Sequence, residues 1–166
     1  MKKLLIFSVI FFAVTTLHAQ KKFNEKTGQE ILKLFPAKMK DKNAKKEKDK
    51  VKDVKGFLGV IVHRDYGDYK QNVVVEAINN SPSLISVNAF LDNPPNKPDQ
   101  YKVIAIDGFK ALVQTIIGEN SSINYEVLIP LTATLLKVRS TGYTRDDLIA
   151  LANTIPVAKI AKMVGR

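Results

Sequence analysis

His63-Arg64-Asp65 is the one place in the chain where a histidine stands beside a carboxylate at a spacing that chemistry can use. On a strand, residues 63 and 65 share a face, so Asp65 can orient the imidazole for general-base work. That chemistry also needs a nucleophile. No serine lies in a Gly-x-Ser-x-Gly elbow, and the chain has no cysteine. The triplet reads more economically as the exposed end of a strand. His18 falls in the N-terminal leader described below, which leaves a single imidazole and no thiolate, so the ordinary ligand sets of zinc and copper are not present. Asp65 and Asp68, or Asp92, Asn93, Asn96 and Asp99, offer oxygens, but at no calcium-loop spacing. The eight glycines never form Gly-x-Gly-x-x-Gly, and there is no tryptophan for a sugar platform. The sequence therefore assigns no catalytic residue, no cofactor and no metal ligand.

Charge is the stronger chemical signal. Net charge is +10, and Lys38 to Lys55 alone holds nine lysines against Asp41, Glu47, Asp49 and Asp53. Met39, Val51 and Val54 are its only large apolar side chains. A segment this poor in apolar area does not offset its ordering entropy, so a mobile arm or a solvated helix is expected. Concentrated like charge attracts polyanions, and Lys45, Lys46, Lys48 and Lys50 are the candidate contacts. The alternative for the same residues is a charged connector. Nucleic acid is disfavoured because no aromatic side chains interleave with the lysines to stack on bases. Deleting Lys38 to Lys50 is expected to change stability by under about 1 kcal/mol, as for surface changes.

The place of action is written in residues 1–19. Lys2 and Lys3, the apolar run Leu4 to Leu17 and the junction at Ala19 read as a Sec signal peptide that leaves Gln20 as the new N-terminus. The apolar core is shorter than the roughly 20 residues needed to cross about 30 Å of hydrocarbon. Cleavage would leave no transmembrane span, and without a cysteine there is no lipoprotein anchor. The expected location is the periplasm or the medium. The absence of cysteine also means that packing and hydrogen bonds, not disulfides, hold the fold.

Composition of 45% apolar and 25% charged residues is that of one globular domain. The expected organisation is a signal peptide over 1–19, an N-terminal helix within 20–37, a basic linker or arm over 38–55, and a core domain over 56–166. Asn24 to Phe35 has helical spacing, with Asn24 as cap and Pro36 as stop. Gly56 to Tyr66 and Gln71 to Asn79 read as strands of a hairpin, with Val73, Val75 and Ala77 on one face and Val74, Glu76 and Ile78 on the other. Ser81 is expected to cap a short helix with Pro82 at its first position, bringing Leu84, Val87 and Leu91 together. The prolines within Asn93 to Asp99 demand a loop.

Strands are expected at Tyr101 to Ile106, Phe109 to Ile117, Asn124 to Ile129 and Thr134 to Ser140, broken at Gly108, at Gly118-Glu119-Asn120 and at Pro130. Thr144 and Asp147 form a capping box ahead of Leu148, Ile149, Leu151 and Ala152, and a last helix carries Val157, Ile160, Ala161 and Val164. The fold class is α+β: an antiparallel sheet of about six strands with N-terminal and C-terminal helices packed on one face. The other face is left to be solvated, partnered or closed by the middle helix.

From Phe57 onward the order of features is a strand ending in Arg64-Asp65-Tyr66, a second strand, a loop, a meander, and Gly142-Tyr143-Thr144 leading into a helix pair. This order, with the Leu17-His18-Ala19-Gln20 junction, resembles small exported single-domain proteins of Bacteroidota-type bacteria of unknown function. The resemblance implies no activity and carries over no site residues. The functional expectation is a non-enzymatic envelope or secreted binding domain of unknown ligand that engages an anionic envelope component or a protein partner, the anionic one through its lysines. The alternatives are a periplasmic hydrolase with an unrecognised site and a structural subunit that assembles through a sheet edge.

Overall fold

The computed structural model describes residues 22–55, 58–118 and 122–165. The expected signal peptide lies outside them, as do Gly56 and Phe57 and most of the turn at Glu119-Asn120. The fold is α+β. Seven antiparallel strands form one sheet in the order β3-β4-β5-β9-β8-β7-β6. They are β3 (Lys50–Asp53), β4 (Val60–Gly67), β5 (Asn72–Asn79), β6 (Tyr101–Ile106), β7 (Phe109–Ile117), β8 (Ile123–Leu131) and β9 (Thr134–Thr141). A separate two-stranded hairpin of β1 (Lys38–Met39) and β2 (Lys42–Asn43) precedes them. The helices are α1 (Glu25–Leu34), α2 (Ser83–Asp92), α3 (Arg145–Ala152) and α4 (Val157–Val164).

Alternation along the strands decides the layers. Val62, Val75, Ala77, Val127, Leu136 and Val138 are fully buried against a layer made by Ile31 of α1, Leu148 of α3 and Ile160 of α4. Residues of the opposite parity face away. Over β7, β8 and β9 that second face is covered by α2, whose Leu84, Val87 and Leu91 pack on Leu112, Leu128 and Leu135. The middle helix thus closes half of the second face, and no helix among the described residues covers the half over β3, β4 and β5.

Local signals match. Asn24 Oδ1 accepts a hydrogen bond from Thr27 N at 2.9 Å, as an N-cap does. The Thr144 hydroxyl accepts from Asp147 N at 3.1 Å, and it donates to the Asp147 carboxylate at 2.9 Å. Asp107 and Gly108, both at positive φ, close the β6–β7 hairpin as a two-residue turn whose twist suits the strands.

The lysine-rich segment departs from expectation. Lys38 to Lys55 is neither a free arm nor a solvated helix: it contributes β1, β2, a 3-10 turn at Lys46–Lys48, and β3 as the sheet's seventh strand. Its apolar side chains and one of its carboxylates, Asp49, turn inward, while Asp41, Glu47 and Asp53 stay exposed. Met39 is fully buried and Val51 packs on the core. Asp49 closes a bidentate pair with the buried Arg64, at 2.9 Å from Nε and 2.6 Å from the terminal nitrogen, while Arg64 also donates to the Phe35 carbonyl at 2.9 Å. That partnership raises the guanidinium's pKa against the opposing effect of burial. Averaged composition hid this alternation.

Two smaller expectations also change. Pro130 does not end a strand: it sits inside β8 opposite Leu135, and the turn falls at Thr132-Ala133. Pairing with β7 stops at Leu128, so position 130 has no ladder bond to β7 that needs the N–H proline lacks. Ser81 does not cap α2 with its side chain; Pro82 holds the cap position, and the Ser81 carbonyl accepts from Leu84 N at 3.1 Å.

Candidate functional site

The uncovered half of the second sheet face begins at the β3 edge. In β3, Val51 turns toward the helical layer, so Lys50 and Lys52 fall on the other side, and register sets Lys50 opposite His63 and Lys52 opposite Ile61. Together with Val54, His63 and Glu76 they line a depression of about 260 Å³, with Val54 and Ile61 as its apolar surface. Among the described residues no Phe, Tyr or Trp side chain lines it.

The four candidate lysines are brought to this edge but not to one point. Lys46 and Lys48 lie exposed on the 3-10 turn, Lys50 lies exposed on the strand, and Lys45 is half-buried where its N–H bonds the Asp65 carbonyl at 2.8 Å. Lys48 stands 3.8 Å from Asp65, whereas Lys45, Lys46, Lys50 and Lys52 have no carboxylate within ion-pair distance among the described residues. Lys52, which the sequence reading did not single out, belongs to the same edge.

His63 is not an exposed strand end. It lies mid-strand with its side chain 22% exposed; Nε2 is 3.1 Å from Asp65 Oδ1 and Nδ1 is 3.0 Å from Glu76 Oε1. Asp65 is the expected same-face neighbour. Glu76 was missed, although centring the hairpin between Gly67 and Asn72 places it directly across from His63. Both ring nitrogens face carboxylates, so neither is left to act on a substrate.

From Glu76 the polar contacts continue across the sheet. Glu76 Oε2 is 3.5 Å from Lys137 Nζ, Lys137 Nζ is 3.3 Å from Glu126 Oε1, and Gln114 Nε2 donates to Glu126 Oε2 at 2.7 Å. The ladder runs over β4, β5, β9, β8 and β7, and its last members pass beneath α2. Each charge in it meets an opposite charge or a donor, which is what lets ionised groups sit so far from water.

Comparison of the chain with protein-family models, with curated proteins and with solved structures finds no match. No helix among the described residues is long and apolar enough to cross a membrane.

Proposed function

We propose that the protein is an exported, non-enzymatic binding domain that takes an anionic envelope component, such as lipopolysaccharide or anionic lipid headgroups, along its β3 edge. The observation that carries this reading is the row of cations at that edge: Lys46, Lys50 and Lys52 are exposed and without a carboxylate partner among the described residues, beside a depression floored by Val54 and Ile61. Unpaired ammonium groups attract anions at long range, and an apolar floor beside them suits a partner that joins charge to hydrocarbon. Among the described residues no Phe, Tyr or Trp lines the depression, and the His63 ring there is held between two carboxylates, which argues against nucleic acid. The carboxylates on both His63 nitrogens argue against a hydrolase. Export rests on the leader composition of Met1 to Ala19.

A second reading has its own observation. β3 is an edge strand, and lysines on an edge discourage strand addition by another chain. Vesicle co-sedimentation separates the two. The mature protein should be retained on anionic vesicles at about 0.1 M salt and released toward 1 M, as the Debye length falls from about 10 Å to about 3 Å. Replacing Lys45, Lys46, Lys48 and Lys50 by Gln should remove most of that retention with an unchanged circular dichroism spectrum. A variant that binds as well as wild type but self-associates would leave the lysines as edge guards only.

A further inference from the structure

Between α2 and the sheet lies a cavity of about 160 Å³, close in size to the roughly 150 Å³ that holds a benzene ring in an apolar core. Its lining is of two kinds. Leu112, Leu128 and Leu135 from the sheet and Val87 and Phe90 from α2 are apolar. Lys137, Glu126 and Gln114, the far members of the polar ladder, are polar. Glu126 is a built part of this wall: only 6% of it is exposed, and both carboxylate oxygens are engaged.

Each charge of the wall already has an opposite partner, with Lys137 shared by Glu76 and Glu126, and this restricts what enters. The ammonium of Lys137 lies between Glu76 and Glu126, so an incoming carboxylate would meet Glu126 and an incoming amine would compete with Lys137. Either would also lose its hydration on entry, at a cost that no free counter-charge offsets. Hydrogen-bonding capacity, by contrast, is left over. Lys137 has three N–H donors and places two against carboxylates, and the Gln114 carbonyl has no partner among the described residues. Ser83 and Ser86 add hydroxyl groups on the helix side.

We infer that this cavity is a binding site for a small uncharged molecule that joins one apolar ring or branched chain to a hydroxyl or carbonyl group, with the polar group on Lys137 and Gln114 and the apolar part among the leucines. The site is separate from the lysine edge and does not depend on how that edge is used. Pockets that pair an apolar body with a few convergent polar groups are the usual form of small-molecule sites.

The probes are phenol, toluene, benzoate and benzylamine, titrated into the mature protein and followed by amide and methyl chemical shifts. Phenol should give saturable shifts and intermolecular contacts to the methyl groups of Leu112, Leu128 and Leu135. It should bind about tenfold or more tightly than benzoate or benzylamine, the difference expected when a charge is buried without a partner. Ser86→Phe, at an exposed position on the cavity lining, should abolish the phenol shifts while circular dichroism stays unchanged. Gln114→Leu should move the preference from phenol toward toluene. The inference is overturned if phenol shifts fail to saturate, if the contacts fall on other methyl groups, or if benzoate or benzylamine binds as tightly as phenol. The contacts in the unaltered protein decide the matter even if a variant fails to fold.

Discussion

Asp49→Ala should be among the most damaging single changes in the lysine-rich segment. The Asp49 and Arg64 side chains are 14% and 10% exposed, and the carboxylate takes two of the guanidinium's hydrogen bonds at 2.9 and 2.6 Å. Removing it leaves a buried cation with the Phe35 carbonyl and the neighbouring Tyr66 hydroxyl as its remaining partners. Breaking a buried pair from one side costs about 3–5 kcal/mol, against a total stability of about 5–15 kcal/mol for an ordinary domain. Replacing both residues by Leu removes the orphaned charge and should recover much of the loss, since apolar substitution of a whole buried pair is often neutral. Urea unfolding of wild type, Asp49→Ala, Asp49→Leu, Arg64→Leu and the double Leu variant measures the loss and the coupling, with the midpoint reporting stability and the slope checking that the transition stays two-state. If Asp49→Ala lies within about 0.5 kcal/mol of wild type, the segment is peripheral and the reasoning is wrong. The same geometry reverses the sequence expectation for deleting Lys38 to Lys50: that deletion removes both Asp49 and the fully buried Met39, so its cost should far exceed 1 kcal/mol.

Gly28→Ala should destabilise, although alanine favours a helix interior by about 1 kcal/mol: the new methyl would stand 2.7 Å from Val51 Cγ1 and 3.0 Å from Val60 Cγ1, an overpacking worth about 1–3 kcal/mol, and a raised urea midpoint would show that β3 yields instead. Leu151→Ala, at 5% exposure in α3, should lower stability by about 2–5 kcal/mol, and a smaller loss would mean that this helix face is not core. Tyr66 is fully buried and burial pushes its phenol above the usual tyrosine range, so above about pH 10 the native state keeps a proton that the unfolded chain releases, and stability falls as pH rises. Tyr66→Phe should therefore lose less stability than wild type between about pH 9 and pH 11, besides forfeiting the 2.7 Å bond to the Pro36 carbonyl at all pH values; parallel alkaline slopes would contradict this.

What could be read from the sequence followed the strength of local patterns. The β6 to β9 meander announces itself through apolar runs and tight turns, and α3 through its cap. β3 does not: in Lys50-Val51-Lys52-Asp53 only Val51 signals an inward face, and an edge strand with one apolar residue looks like any charged linker. His63 was legible as the one imidazole among the described residues, and its contact with Glu76 follows from hairpin register. The ladder beyond Glu76 was not legible, because Lys137 meets Glu76 only once β9 lies beside β5, and no local signal sets that pairing. The cavity beneath α2 depends on the same placement.

That central pairing has a consequence for how the chain finds its fold. Every pairing in the large sheet except one joins strands that follow each other in sequence; the exception sets Asn72 opposite Thr141 and Asn79 opposite Thr134. The β3-β4-β5 and β6-β7-β8-β9 units can each assemble from neighbouring segments, while the β5–β9 seam must bring distant parts of the chain together before its contacts reward the search. Loop-closure entropy at this seam, more than the strength of any hairpin, then sets the folding rate. The connection that must close includes the proline-bearing stretch from Asn93 to Asp99, which carries neither helix nor strand. Because closure entropy grows only logarithmically, each doubling of that connection costs about 0.6 kcal/mol, which makes this stretch a place where the chain can lengthen at little cost to the fold.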